Sequence, residues 1–148
     1  MNDKEIKPLS TSEYEKVGDA IFSSIVDYPE LKEGMQVDYQ DLKSTNCIGF
    51  FTSPGGKYLS ENVIGGFTAQ LPFDLVYKFT ATADGQRIEA ESFLNKLVDW
   101  MEQKPYPLLT DGRTIEKIIF NSTTYRTEAD NDGSIKFVRS GIVRYEKD

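Results

Sequence analysis

Between Phe67 and Ala81 every odd-numbered residue is apolar: Phe67, Ala69, Leu71, Phe73, Leu75, Tyr77, Phe79 and Ala81. The even positions are Thr68, Gln70, Pro72, Asp74, Val76, Lys78 and Thr80. Side chains alternate across a strand with a period of two, so the stretch predicts one β-strand with a face on the core and a face toward water or a partner. At about 3.3 Å per residue it would span roughly 50 Å, far beyond an ordinary strand. Pro72 lacks the N–H of a ladder donor and is expected to bend the strand and to place that stretch at a sheet edge or bulge. An edge strand of this length offers unpaired N–H and C=O groups to a neighbouring subunit. Phe67, Leu71, Phe73 and Tyr77, with the adjoining loop 54–66, are therefore the candidate interface. A bent strand lying wholly inside its own sheet is the competing expectation.

The rest of the chain supplies partners for that strand. Ser10 with Glu13, or Ser12 with Glu15, forms a capping box at the head of a helix whose stripe is Tyr14, Val17, Ile21, Phe22, Ile25 and Val26. Tyr28-Pro29 closes it, because a residue before proline is pushed out of the α region. A short strand is expected around Val37 to Tyr39 and a buried one over Cys47 to Phe51, ended by the turn Pro54-Gly55-Gly56. Asp84-Gly85 turns the chain into a second helix over Ile88 to Gln103, with Phe93, Leu94, Leu97, Trp100 and Met101 inward. Strands over Thr114–Tyr125 and Ser134–Tyr145 follow, joined by hairpin chemistry at Asp130-Asn131-Asp132-Gly133. Strands interrupted by only two helices predict an α+β fold with a mainly antiparallel sheet and two helices packed on it. Residues 1–9 read as a flexible N-terminal tail and 10–148 as a single α+β domain.

Composition narrows the function. The chain has 148 residues, enough to bury a core without disulfides or metals, and one cysteine, Cys47. Its net charge is −7, and residues 1–45 hold five lysines against ten acids. No basic stripe is present to neutralise phosphates, so nucleic-acid binding is not expected. No apolar run approaches the roughly 20 residues of a membrane span, and the polar start has no signal-peptide core, so cytosolic synthesis is expected. Histidine is absent, which removes Ser–His and Cys–His nucleophile pairs and every histidine-containing zinc site.

Three local motifs fail on spacing. A calcium loop with Gly133 at its sixth position would put Arg139 where a bidentate glutamate belongs. A phosphate loop through Gly56-Lys57 would need glycine at Phe51 and Ser or Thr at Tyr58. Gly65-Gly66 has no third glycine in register and leads into a strand, so it reads as a bulge or hinge. Neither catalytic residues, nor a metal, nor a cofactor is expected, and the chain does not read as an enzyme.

The combination Gly65-Gly66-Phe67 with Leu71-Pro72-Phe73-Asp74-Leu75-Val76-Tyr77-Lys78, then Phe93 to Met101, then Thr123-Thr124-Tyr125 and Gly141 to Tyr145 resembles the minor capsid or minor structural proteins of bacteriophages of Gram-positive hosts. The layout is similar to the tail terminator and head–tail joining proteins of long-tailed phages. That resemblance implies a helix, a long hairpin, a packed helix and closing antiparallel strands. It also implies self-association into a ring, commonly a hexamer, and docking to other phage tail or neck proteins. The expected place is the virion, after synthesis in the cytoplasm of the bacterial host. A small-ligand-binding α+β module is the alternative that the same alternation allows.

Overall fold

The computed structural model describes residues 7–31, 35–43, 46–80, 84–121, 123–127 and 133–148. Among the described residues, two helices, α1 (Thr11–Val26) and α2 (Asp84–Met101), accompany seven strands: β1 (Gln36–Tyr39), β2 (Cys47–Thr52), β3 (Lys57–Glu61), β4 (Phe67–Thr80), β5 (Arg113–Phe120), β6 (Tyr125–Thr127) and β7 (Ser134–Lys147). They form one mixed, mostly antiparallel sheet, and the α+β class expected from the strand and helix pattern is the one observed.

The two longest strands make the spine. β4 pairs with β7 from Phe67↔Lys147 to Thr80↔Ser134 without a register break. On the outer side of β4, β2 covers Phe73 to Lys78 and β3 covers Phe67 to Gln70. On the outer side of β7, β5 and β6 take successive stretches in the same way. Each long strand is thus paired on both sides, and β1 closes the β2 side in parallel register.

Pro72 therefore lies in an interior strand, not at a sheet edge. The ladder tolerates it because of where it falls. Its carbonyl accepts from Ser53 N at 2.9 Å, so its nitrogen faces the same flank. There β2 has already ended, at Thr52↔Phe73, and β3 has not begun, at Lys57↔Gln70. The missing donor falls in that gap, and the pairing with β7 loses nothing.

The odd side of β4 is the floor of the core. Leu71, Phe73 and Leu75 are fully buried, with Ile48 and Phe50 of β2 beside them and Val143 and Tyr145 of β7 on the other flank. Both helices lie on this floor. Val17, Ile21 and Ile25 cover it from α1; Ala90, Phe93, Leu94, Leu97, Val98 and Met101 cover it from α2. Burying each of the larger side chains contributes about 1.5–3 kcal/mol. Edge-to-face and tilted ring contacts join the layers, Tyr77 to Phe93 at 5.6 Å and Phe73 to Phe50 and Phe120 at 5.3 Å each.

Several boundaries differ from the sequence expectation, each for a local reason. Ser10 caps α1, its hydroxyl accepting from Glu13 N at 3.3 Å, but the Glu13 side chain does not complete the box because it turns inward. α2 starts at Asp84, so Asp84-Gly85 lies in its first turn instead of preceding it. The single strand expected over Thr114–Tyr125 is two, β5 and β6, separated where the chain leaves the β7 ladder. Of the expected hairpin connector only Gly133 lies within the described residues. β6 and β7 are nonetheless antiparallel neighbours. The tail expected over 1–9 ends sooner: Leu9 is buried, and residues 7–9 bond to β3 and to Gly56. Residues 1–6 lie outside the described residues. Among the described residues no helix is long and apolar enough to cross a membrane.

Candidate functional site

The four residues expected to form an interface do not share one environment. Leu71 and Phe73 are fully buried, Tyr77 is 3% exposed, and Phe67 is half-buried against Tyr58 and Tyr145. This is the competing expectation, a strand inside its own sheet. The alternation reports contact with α1 and α2, and β4 has no free edge along Phe73–Lys78 or Phe67–Gln70.

The surface that does project lies at the end of the same hairpin, within the loop 54–66. Val63 is 103% exposed and Ile64 86%, although both are branched aliphatics that favour burial. Their backbone is held firmly. Asn62 N donates to Gly66 O at 2.9 Å, and the Asn62 side-chain oxygen accepts from Ile64 N at 3.1 Å and Gly66 N at 2.8 Å. One asparagine thus satisfies the inward-pointing donors of the turn, leaving the two aliphatic side chains outward. Gly65 adopts φ +93°, a conformation open to glycine, and a Cβ on Gly66 would meet Asn62 Nδ2 at 2.7 Å and Lys147 O at 2.8 Å. The Gly65-Gly66 pair expected to make a bulge or hinge is the turn itself, and the register shift of this hairpin falls between Tyr58 and Ser60.

Three further features could carry contacts. Between the end of α2 and the start of β5, the segment Lys104–Leu109 separates two open cavities. One, of about 340 Å³, is lined by Ser24, Asp27, Trp100, Tyr106 and Ile118 among others. The other, of about 560 Å³, is lined chiefly by Pro105, Pro107, Leu108, Leu109 and Ile115, with Leu108 almost wholly exposed at its rim. The sheet face turned away from the helices carries exposed Ile119 and Ile142, which are opposed across β5 and β7. Part of that face is covered by Asp41 and Leu42, which follow β1. Gly49 makes room for them, since a Cβ there would meet Asp41 O at 2.8 Å and Leu42 Cδ2 at 2.7 Å.

Two of the buried charges, Glu13 and Arg113, form a clamp that the sequence did not reveal. Arg113, from the start of β5, donates to both carboxylate oxygens of Glu13 on α1, and Tyr145 on β7 donates to Glu13 Oε1 at 3.0 Å. Burial by itself would push the Glu13 carboxyl up. The hydrogen bonds from Arg113 and Tyr145 and the Arg113 charge outweigh it and hold the group below its ordinary 4.5. Burial first, then the Glu13 charge, pushes the Tyr145 hydroxyl up, so it stays a neutral donor. Only the long-range fold brings residues 13, 113 and 145 together. The one local signal was Glu13 beside Ser10, which was legible as a cap.

A second buried arginine is held differently. Arg139 donates from Nη1 to Asn95 Oδ1 at 2.8 Å and from Nη2 to Asn121 O at 2.6 Å, while its buried Nε has no hydrogen-bond partner among the described residues. It ties the β5–β6 connection to α2 through neutral acceptors. Among the described residues no cluster of three or more Cys, Asp or Glu side chains is placed to hold a metal. Cys47 is buried in β2.

No protein-family model matches this chain, and no curated protein matches it in sequence.

Proposed function

We propose that this chain is a minor structural protein of a tailed-phage virion, acting in the tail or at the head–tail joint by self-association and by docking to other virion proteins. The observation that carries the contact-forming part of this reading is the hairpin tip. Two exposed branched aliphatics stand side by side on a turn held by hydrogen bonds through Asn62, so a partner that covered them would remove apolar surface from water without disturbing the fold. The phage assignment draws its support from the segment order described above, a helix, a long hairpin, a packed helix and closing antiparallel strands.

Light scattering coupled to size exclusion, across micromolar concentrations and at two salt levels, tests this reading. A discrete oligomer whose population rises with concentration is expected. A strict monomer under every condition overturns the self-association reading.

A further inference from the structure

Resting on that self-association reading, we infer that the occupant of the 560 Å³ cavity beside β5 is the Val63–Ile64 tip of a second copy of this chain. Tip and cavity are complementary in kind. The tip presents two branched aliphatic side chains with no charge between Asn62 and Gly66. The cavity is walled by prolines and aliphatics, chiefly Pro105, Pro107, Leu109 and Ile115, and rimmed by exposed Leu108. Its volume lies in the range that takes a small ligand or a few side chains. Its one buried charge, Arg113, is already bound to Glu13 and makes no demand on an incoming group.

The occupant comes from another molecule because Val63 and Ile64 stand exposed and do not line the cavity of their own chain. Tip and cavity stand at the same end of the sheet, but β7 lies between β4 and β5 there, as the pairs Phe67↔Lys147 and Arg113↔Lys147 show. The tip abuts the end of β7 and is tied back by Asn62, so it projects off the sheet instead of folding across it. A second copy is the natural partner because every copy carries both halves of the contact. A patch that fits a pocket elsewhere on the same molecule builds a head-to-tail contact, which closes into a ring when the rotation allows.

Charge does not oppose the pairing at short range. Each copy carries −7, yet the tip is uncharged and the cavity rim holds little charge besides Lys104. Repulsion between copies then acts over distances at which salt screens it, beyond a Debye length of about 8 Å at physiological ionic strength.

Mixing two assembly-defective variants is the deciding experiment. Val63→Ser/Ile64→Ser removes the apolar tip but keeps the cavity. Leu108→Asp/Thr114→Trp puts a charge at the rim and bulk in the cavity but keeps the tip. All four positions are exposed, so both variants are expected to keep the wild-type circular dichroism spectrum and urea midpoint. Each variant alone is expected to associate at least about 100-fold more weakly than wild type, as loss of a central apolar anchor does. An equimolar mixture is expected to form a one-to-one heterodimer and nothing larger, because one intact tip and one intact cavity remain. If wild type assembles and either variant assembles as well as it does, the inference is overturned while the self-association reading stands. If both variants fail but the mixture stays monomeric, the tip seats somewhere other than this cavity and the inference is again overturned. A wild type that is monomeric throughout removes the reading beneath it, and assembly lost only on adding a small apolar ligand supports the cavity as the seat.

Discussion

The β3–β4 hairpin uses apolar residues in two opposite ways, in its strand and at its tip. From Phe73 to Tyr77 the odd residues of β4 are buried beneath the helices and paired to both neighbouring strands. At Val63 and Ile64 the same kind of side chain stands in water on a turn built from asparagine and glycine. In the strand, burial is how the side chain stabilises the fold; at the tip, the fold fixes the backbone and leaves the side chain idle. Apolar character alone therefore does not say whether a residue serves the core or a contact. The surrounding hydrogen bonds and the neighbours across the sheet decide it.

Substitution at the strand should give the largest effect. Phe73→Asp places a charge among Phe50, Phe120 and the helices, and should cost more than about 5 kcal/mol. Against a total stability of about 5–15 kcal/mol, loss of the cooperative unfolding transition is the expected result. A folded Phe73→Asp protein that had lost only its assembly would reverse the assignment of strand and tip.

The clamp beneath the strand comes next. Glu13→Gln leaves buried Arg113 with only the exposed Asp111, 3.6 Å away, as a charge partner and should cost about 3 kcal/mol at neutral pH, read from urea midpoints. The sign of its pH dependence follows from the depressed Glu13 value. The carboxylate contributes its full stability above the ordinary 4.5 and loses it as pH falls through the lower folded-state value. Wild type should thus lose its advantage over Glu13→Gln on acidification, and an advantage unchanged down to pH 2 would show that the ionisation of Glu13 contributes nothing to it.

The smallest stability effect belongs to the tip. Val63→Ser/Ile64→Ser should move the unfolding free energy by no more than about 0.5 kcal/mol, because neither side chain is buried. A loss of several kcal/mol would mean that the tip packs within its own chain, and the comparison with the strand would collapse.

Much of the fold was legible because it rests on periodicity. Phe67–Thr80 shows its two-residue alternation openly, and α1 shows both its cap at Ser10 and its stop before Pro29. β3 was not legible, since Lys57 to Glu61 is too short and polar to show a period, and it is a strand only because β4 offers it a ladder. Of the candidate site, the stripe Phe67, Leu71, Phe73 and Tyr77 was visible but assigned to the wrong surroundings. The tip was visible only as part of a loop.

Local chemistry thus determined the α+β class, the long strand and most element positions, because propensity, capping and alternation act over a few residues. Only the tertiary structure decided that β4 is interior, that Pro72 falls in the gap between β2 and β3, and that Glu13 meets Arg113 and Tyr145. Those outcomes depend on which strand lies beside which, a choice made by burying one shared core across residues far apart in the chain.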